Sequence, residues 1–279
     1  HDIDKWHLFK EYNAQDVVTE MEDYRRLSAY PVPGWVQDDW VIDYELNRRG
    51  IQLDMDLVRG ALAIDDQHKT ELVEKAIQIT GLTNPNSRNQ LLTWINDNSD
   101  LKLEKLTKET VAESLQIAED QVAEVLHIRR ALAKSSISKY ESMKNAVCAD
   151  GRIRGVLQFY GANRTGRWAG RLVQVQNLPH DVPVAMDTAI RLVKNGNARG
   201  VKLMYGHIST SLSHLIRAAF VAPEGSLLCV SDFSAIEARV LSWLADEKWR
   251  QDVFAKGGDI YCASASSMFG VPVEKHGIN

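Results

Sequence analysis

The chain has 279 residues, a formal net charge of −4, 44% apolar and 25% charged residues. That is room for one large or two to three small soluble domains. It also excludes a chain that is basic throughout, so any nucleic-acid surface must be a local patch. Three scattered cysteines, Cys148, Cys229 and Cys262, make neither a disulfide framework nor a zinc pattern and point to a reducing, cytoplasmic setting. No signal peptide and no apolar run of membrane-spanning length, about 18 residues, is present. The sequence opens on His1 rather than Met, as an excised fragment would.

Residues 7–30 carry Leu8, Tyr12, Val17, Met21, Tyr24 and Leu27 near one helical stripe. Pro31-Val32-Pro33-Gly34 breaks it and marks a boundary. A second helix is predicted over 35–50, closed by Gly50, with Ile51 to Asp54 extended. Residues 55–80 have helical period, and Ser87 is placed to cap a helix bearing Leu91, Leu92 and Ile95. The longest helical pattern is expected over 119–146, with Arg129, Arg130, Lys134, Lys139 and Lys144 on its polar faces.

Residues 151–180 hold Arg152, Arg154, Arg164, Arg167 and Arg171 and no Asp or Glu. In an acidic chain this reads as a phosphate-binding stripe, the other reading being an exposed basic loop. Gly161, Gly166 and Gly170 would let backbone approach a ligand. A helix is expected over Val184 to Val193, stopped by Gly196. Leu227-Leu228-Cys229-Val230 reads as a short buried strand, with a helix from Ala235 onward. Asp232 then stands at a strand-to-helix corner. A carboxylate there suits a hard cation such as Mg²⁺; the other reading is a helix cap.

The string Asp232-Phe233-Ser234-Ala235-Ile236-Glu237-Ala238-Arg239 resembles motif A, D-Y-S-Q-I-E-L-R, of the family A (DNA polymerase I-like) DNA polymerases. Other stretches agree in order. Thr165-Gly166-Arg167 with Gln176-Asn177-Leu178-Pro179 resembles T-G-R-L-S-S-x-x-P-N-L-Q-N-I-P, although Trp168 to Val173 depart from it. Arg49 to Asp54, Asn84 to Leu91 and the R-x-L-A-K of Arg130 to Lys134 are similar to the thumb and its lead-in. Leu215 to Glu224, then Gly258 to Tyr261 and Met268 to Pro272, resemble the segments flanking motif A. Tyr12 and Asp16 resemble the Y-x-x-x-D that closes the family's 3′–5′ exonuclease domain. The segment between Pro179 and Ile216 is longer than in the bacterial members, as in the phage-type branch.

The resemblance implies an α+β fold: an exonuclease remnant over 1–31, palm lead-in and helical thumb over 32–150, and the first part of the palm over 151–279 with an inserted helical segment 180–214. It implies that Asp232 and the Phe233 carbonyl bind two Mg²⁺ ions, with Glu237 and Arg239 completing the catalytic set. Glu237 and Tyr261 would meet the incoming deoxynucleoside triphosphate. Arg164, Arg167, Gln174, Gln176, Asn177, Arg130 and Lys134 would meet primer–template DNA, and Tyr12 and Asp16 would be inert. The complete enzyme would be a monomer. Motif B and motif C, with the second metal-binding Asp, should follow residue 279, so this stretch is expected not to extend primers alone. A non-catalytic DNA-binding module would keep the basic stripe without needing Asp232. A single-subunit RNA polymerase shares a D-x-x-x-x-R motif A, against which Glu237 and the T-G-R string argue.

Overall fold

The computed structural model describes residues 2–133, 137–179 and 181–275. Thirteen α-helices and five short strands are formed among them, a mostly helical α+β arrangement. The chain divides into two compact units, 1–226 and 227–279.

In the first unit α1 (Ile3–Leu27) and α2 (Gly34–Arg49) flank the Pro31–Pro33 breaker. No residue of α1 is buried, so its apolar stripe lies open. Gly50 ends α2 at φ +66°, and a Cβ there would fall 2.6 Å from the Ile153 carbonyl oxygen. Glycine is therefore required twice over, for the left-handed turn and for the close approach. β1 (Ile51–Leu53) follows, then α3 (Met55–Thr80), capped by the Asp54 carboxylate on the Leu57 N–H. α3 is roughly 39 Å long at 1.5 Å per residue, and its length joins two apolar cores.

The distal core is helical: α4 (Arg88–Asp97), α5 (Lys108–Ser114) and α6 (Asp120–Leu132) bury Leu91, Ile95, Val111, Val125 and Leu126 against Ile79 at the far end of α3. Ser87 caps α4 as expected, accepting from the Gln90 N–H. The expected single helix over 119–146 is instead two, α6 and α7 (Ser138–Ala146). The reason is packing. α6 serves the distal core, whereas Tyr140 and Met143 of α7 are buried in the other one.

That second core gathers Leu57, Val58, Ala61 and Ile64 of α3 with residues far along the chain. β2 (Arg152–Ile153) and β5 (Phe220–Val221) flank β1 antiparallel, pairing Ile51 with Ile153 and Leu53 with Phe220. β3 (Leu157–Ala162) and β4 (Arg167–Gly170) form a separate hairpin. The 180–214 segment folds as α8 (Met186–Lys194), α9 (Ala198–Tyr205) and α10 (Ile208–His214). It is not an appendage: Ala189, Val193, Val201, Ile208 and Leu212 are all core residues. The buried Tyr140 hydroxyl donates to the Leu212 carbonyl at 2.8 Å, tying α7 to α10.

The second unit is α11 (Ile236–Leu244), α12 (Lys248–Ala255) and α13 (Ile260–Phe269). Asp259 caps α13, accepting from the Tyr261 and Cys262 N–H groups. The expected buried strand at 227–230 is absent: Leu227 is 90% and Val230 92% exposed. Apolar composition alone does not make a strand. The backbone needs a neighbour for its N–H and C=O groups, and no described segment pairs with 227–230.

Candidate functional site

The T-G-R string sits at the tip of the β3–β4 hairpin. Asn163 to Gly166 make the turn, with the Thr165 and Gly166 N–H groups both donating to the Ala162 carbonyl, at 3.0 and 2.9 Å. Gly166 is at φ +69° and packs so close to the Tyr160 ring that a Cβ would stand 2.7 Å from it. The string therefore contains its glycine because the turn and the ring leave room for nothing larger. Arg164, Thr165 and Arg167 are exposed on this tip. Past β4 the chain turns through Leu172 and Gln174, both at φ +54°, into a 3-10 turn at Val175–Asn177. Gln174, Gln176 and Asn177 are exposed there, with Asn177 Nδ2 donating to Gln174 Oε1 at 3.3 Å. A Cβ on Gly170 would meet Gln174 Cα at 2.8 Å, so the small residue lets this turn fold back on β4. Five of the expected DNA-facing side chains thus share the hairpin and the turn after it.

The basic stripe is shorter than its composition suggests. Arg154 forms a two-pronged pair with Asp150, at 2.9 and 2.6 Å, and donates to the Arg48 carbonyl. The Arg154 guanidinium holds the Asp150 carboxyl down at about 2, and Asp150 in return raises the guanidinium. Arg152 donates to the carbonyls of Arg49 and Gly50. These two arginines clamp β2 to the end of α2, and the acid that neutralises one lies just outside the acid-free stretch. Arg164, Arg167 and Arg171, by contrast, are exposed.

The expected basic helix face divides in the same way. Arg130 is exposed on α6, 3.4 Å from His127 Nδ1. Burial, then the neighbouring Arg88, push the half-buried Arg129 guanidinium down. Lys139 donates to the Val173 carbonyl at 2.6 Å, and burial lowers its ammonium. It is a structural tie rather than part of a solvated face. Lys134 lies outside the described residues. On α1, Tyr12 and Asp16 are exposed one turn apart.

In the second unit Asp232 and Phe233 are exposed in the segment leading to α11. The strand-to-helix corner expected at Asp232 is not formed, since 227–230 are not a strand, and Asp232 is not the cap: the N-cap of α11 is Ala235, at φ +51° and without a side-chain bond. Glu237 is exposed in the first turn of α11, where the helix dipole favours an acid. Arg239 Nε donates to the Ser234 carbonyl at 2.8 Å, and its guanidinium lies 4.4 Å over the Phe254 ring. It thereby holds the segment before α11 to α12. Tyr261 is 75% exposed on α13. Among the described residues no three His, Cys, Asp or Glu side chains converge as a metal site. Asp232 offers one carboxylate, and bridging two ions takes carboxylates from more than one place; a two-ion site does not fit the residues of this chain alone.

The residues that sequence reasoning missed are those that hold the hairpin. Trp168 Nε1 donates to Asp43 Oδ1 on α2 at 2.7 Å. Asn47 bonds both backbone groups of Leu157 at the start of β3. The departure at Trp168 from the family string is the one visible sign; nothing marks Asp43 as its partner 125 positions away.

This fold, with an arginine-tipped hairpin and a D-F-S-A-I-E-A-R helix entry, defines a class. Residues 63–277 match the model of DNA polymerase family A, and the chain belongs to that family. Within it the likeness is to a phage polymerase: the chain is 47% identical over 275 residues to the "DNA polymerase" of Bacillus phage SP02, spanning 98% of this chain and 42% of that protein. It is also 30% identical over 235 residues to "DNA polymerase I, thermostable" of Thermus aquaticus, spanning 81% of this chain and 25% of that one. The fold is similar to the "POL domain of Pol1 from M. smegmatis complex with DNA primer-template and dNTP", with a TM-score of 0.55, 20% identity, and coverage of 82% of this chain and 37% of that chain. The chain thus spans less than half of each of these relatives. Family membership sets aside the RNA polymerase alternative. No described helix is long and apolar enough to cross a membrane.

Proposed function

We propose that this chain is the thumb and first palm portion of a replicative or repair DNA polymerase of the phage type, and that its own contribution is to hold primer–template DNA. The observation that carries this is the β3–β4 hairpin, which presents Arg164 and Arg167 on a rigid tip with Gln174, Gln176 and Asn177 beside it. A single donor such as Arg167 suits the minor groove, where correct pairs show the same acceptors, so it senses pair shape without reading sequence. Arg130 and Lys134 add contacts to phosphate from the thumb. The assignment of 1–31 to an exonuclease remnant, 32–150 to lead-in and thumb and 151–279 to palm belongs to this reading, as do a monomeric enzyme and a cytoplasmic location.

The parent reaction is transfer of a nucleotidyl group from a deoxynucleoside triphosphate to a primer 3′-hydroxyl. Mg²⁺ would supply charge neutralisation on the phosphates, drawing on Asp232 and the Phe233 carbonyl from this chain and on a second carboxylate from beyond these residues. Glu237 would lie against the sugar and exclude a 2′-hydroxyl, and Tyr261 would contact the nucleotide. The rest of that reaction would fall to motifs B and C of the family pattern, and the part these 279 residues carry is the hold on DNA. The test is Asp232→Asn in a polypeptide carried on through those motifs. Extension should fall to a few per cent while duplex binding persists; more than about a tenth of normal extension would refute the metal role.

A further inference from the structure

The hairpin is a two-stranded element, and such a pair is marginal in water unless something else holds it. What holds it is a chain of side-chain bonds from α2. Asp43 is 9% exposed; its Oδ1 accepts from Trp168 Nε1 at 2.7 Å and its Oδ2 from Asn47 Nδ2 at 3.1 Å. Asn47 Nδ2 also donates to the Leu157 carbonyl at 3.0 Å, and its Oδ1 accepts from the Leu157 N–H at 3.1 Å. Asn47 so bonds β3 as a neighbouring strand would. Across the hairpin Leu157 pairs with Gly170, and Trp168 packs edge-on against Phe159, 5.3 Å between centroids. Both strands are thus fixed to one face of α2, and Trp168 directly follows Arg167.

A buried carboxylate is tolerated only where its oxygens are bonded, and here both are. We propose that Asp43, Asn47 and Trp168 are positioning residues for nucleic acid: they lock the hairpin so that Arg164 and Arg167 meet the DNA backbone and minor groove as one preorganised pair. The inference rests on the reading of the hairpin as a DNA-binding surface. Two effects of Asp43 oppose each other, which makes it a decisive position. A carboxylate bonded to the residue that follows Arg167 would repel phosphate, so its removal should tighten binding if charge were all that mattered. Its role as the latch predicts the reverse, because a loose hairpin cannot make the simultaneous contacts that preorganisation provides.

The test uses the 279-residue chain and a fluorescein-labelled primer–template duplex, with Asp43→Ala, Asp43→Asn and Trp168→Phe. Hydrogen exchange reads the hairpin itself. Asp43→Ala should speed exchange over 157–170 by about tenfold or more and leave the α4–α6 core unchanged. Its duplex affinity should fall several-fold at low salt, with the salt slope shallower by about one unit for each phosphate no longer neutralised. Trp168→Phe should match it, and the pair together should do no more than either alone, as residues in one network do. Asp43→Asn keeps an oxygen for Trp168 and should retain most of the affinity. Should Asp43→Ala fail to fold by circular dichroism, Trp168→Phe carries the same comparison. A steep wild-type slope left unchanged by the latch variants, or tighter binding in Asp43→Ala and Asp43→Asn alike, overturns the inference alone. A wild-type slope near zero overturns the DNA reading and this inference with it.

Discussion

Gly60 on α3 sits where α8 crosses it. A Cβ at this position would fall 2.9 Å from the Val193 carbonyl carbon and nearer still to its oxygen, and 3.2 Å from Lys194 Cα. Carbon atoms pack best at about 3.5–4.0 Å, so Gly60→Ala must push α8 away by at least about 0.6 Å. The atoms in the way are backbone, so no rotamer change relieves the clash, and α8 carries Ala189 and Val193 in the core and Lys194 paired with the Asp54 cap. Overpacking of this kind costs about 1–3 kcal/mol, and a backbone clash belongs at the upper end. Alanine returns roughly 1 kcal/mol in helix propensity. The net is a destabilisation of about 2 kcal/mol, or a Tm lower by roughly 4–8 °C for a unit of this size. Gly34, at the start of α2 with nothing within 4 Å, is the control, and Gly34→Ala should leave Tm equal or slightly higher. Thermal melts followed by circular dichroism read both. A Gly60→Ala protein as stable as the parent would mean that the 180–214 segment does not dock closely on α3.

Tyr140→Phe deletes one of two donors to the Leu212 carbonyl, the Leu215 N–H remaining, and should cost about 1 kcal/mol in urea unfolding; an unchanged midpoint would show that the bond contributes nothing. The Asp150 carboxyl, held at about 2, is a depressed acid. The Asp150–Arg154 pair therefore contributes fully above the unfolded Asp value of about 3.9 and fades as pH falls through about 2. Arg154→Ala should move the Asp150 titration, followed by carboxyl NMR, back toward about 3.9; a titration that stays put would remove Arg154 as its cause. In a polypeptide extended through motifs B and C, Glu237→Ala should raise ribonucleotide use relative to deoxyribonucleotides. An unchanged ratio in single-nucleotide kinetics would remove Glu237 from sugar selection.

Much of the first unit is legible in the sequence because its signals are local. Helical period delimits α3 at 55–80, Ser87 is a cap three residues from the N–H group it satisfies, and Gly50 is where a left-handed turn must be. What is not legible depends on partners far along the chain. The apolar run at 227–230 carries the composition of a strand but no neighbour to pair with, and the pattern over 119–146 hides a division between two cores. The arginine stripe can be counted, yet Asp150, Arg48, Arg49 and Gly50 decide which of its members are already engaged. The motif residues of the hairpin are visible as a string, whereas the Asp43–Trp168 bond joins positions that no spacing rule connects.

On the proposed reading the 279-residue chain grips duplex DNA through phosphates, by Arg164 and Arg171 at the hairpin and Arg130 and Lys134 on the thumb. A salt titration of primer–template binding to the chain as it stands tests this most directly. With about four phosphate contacts, log affinity should fall against log salt with a slope of roughly −3 to −4, equally for duplexes of unrelated sequence. Replacing Arg164 and Arg171 together by Ala should make the slope shallower by about two units. A slope near zero, or one that the double replacement leaves unchanged, would mean that these arginines do not hold phosphate.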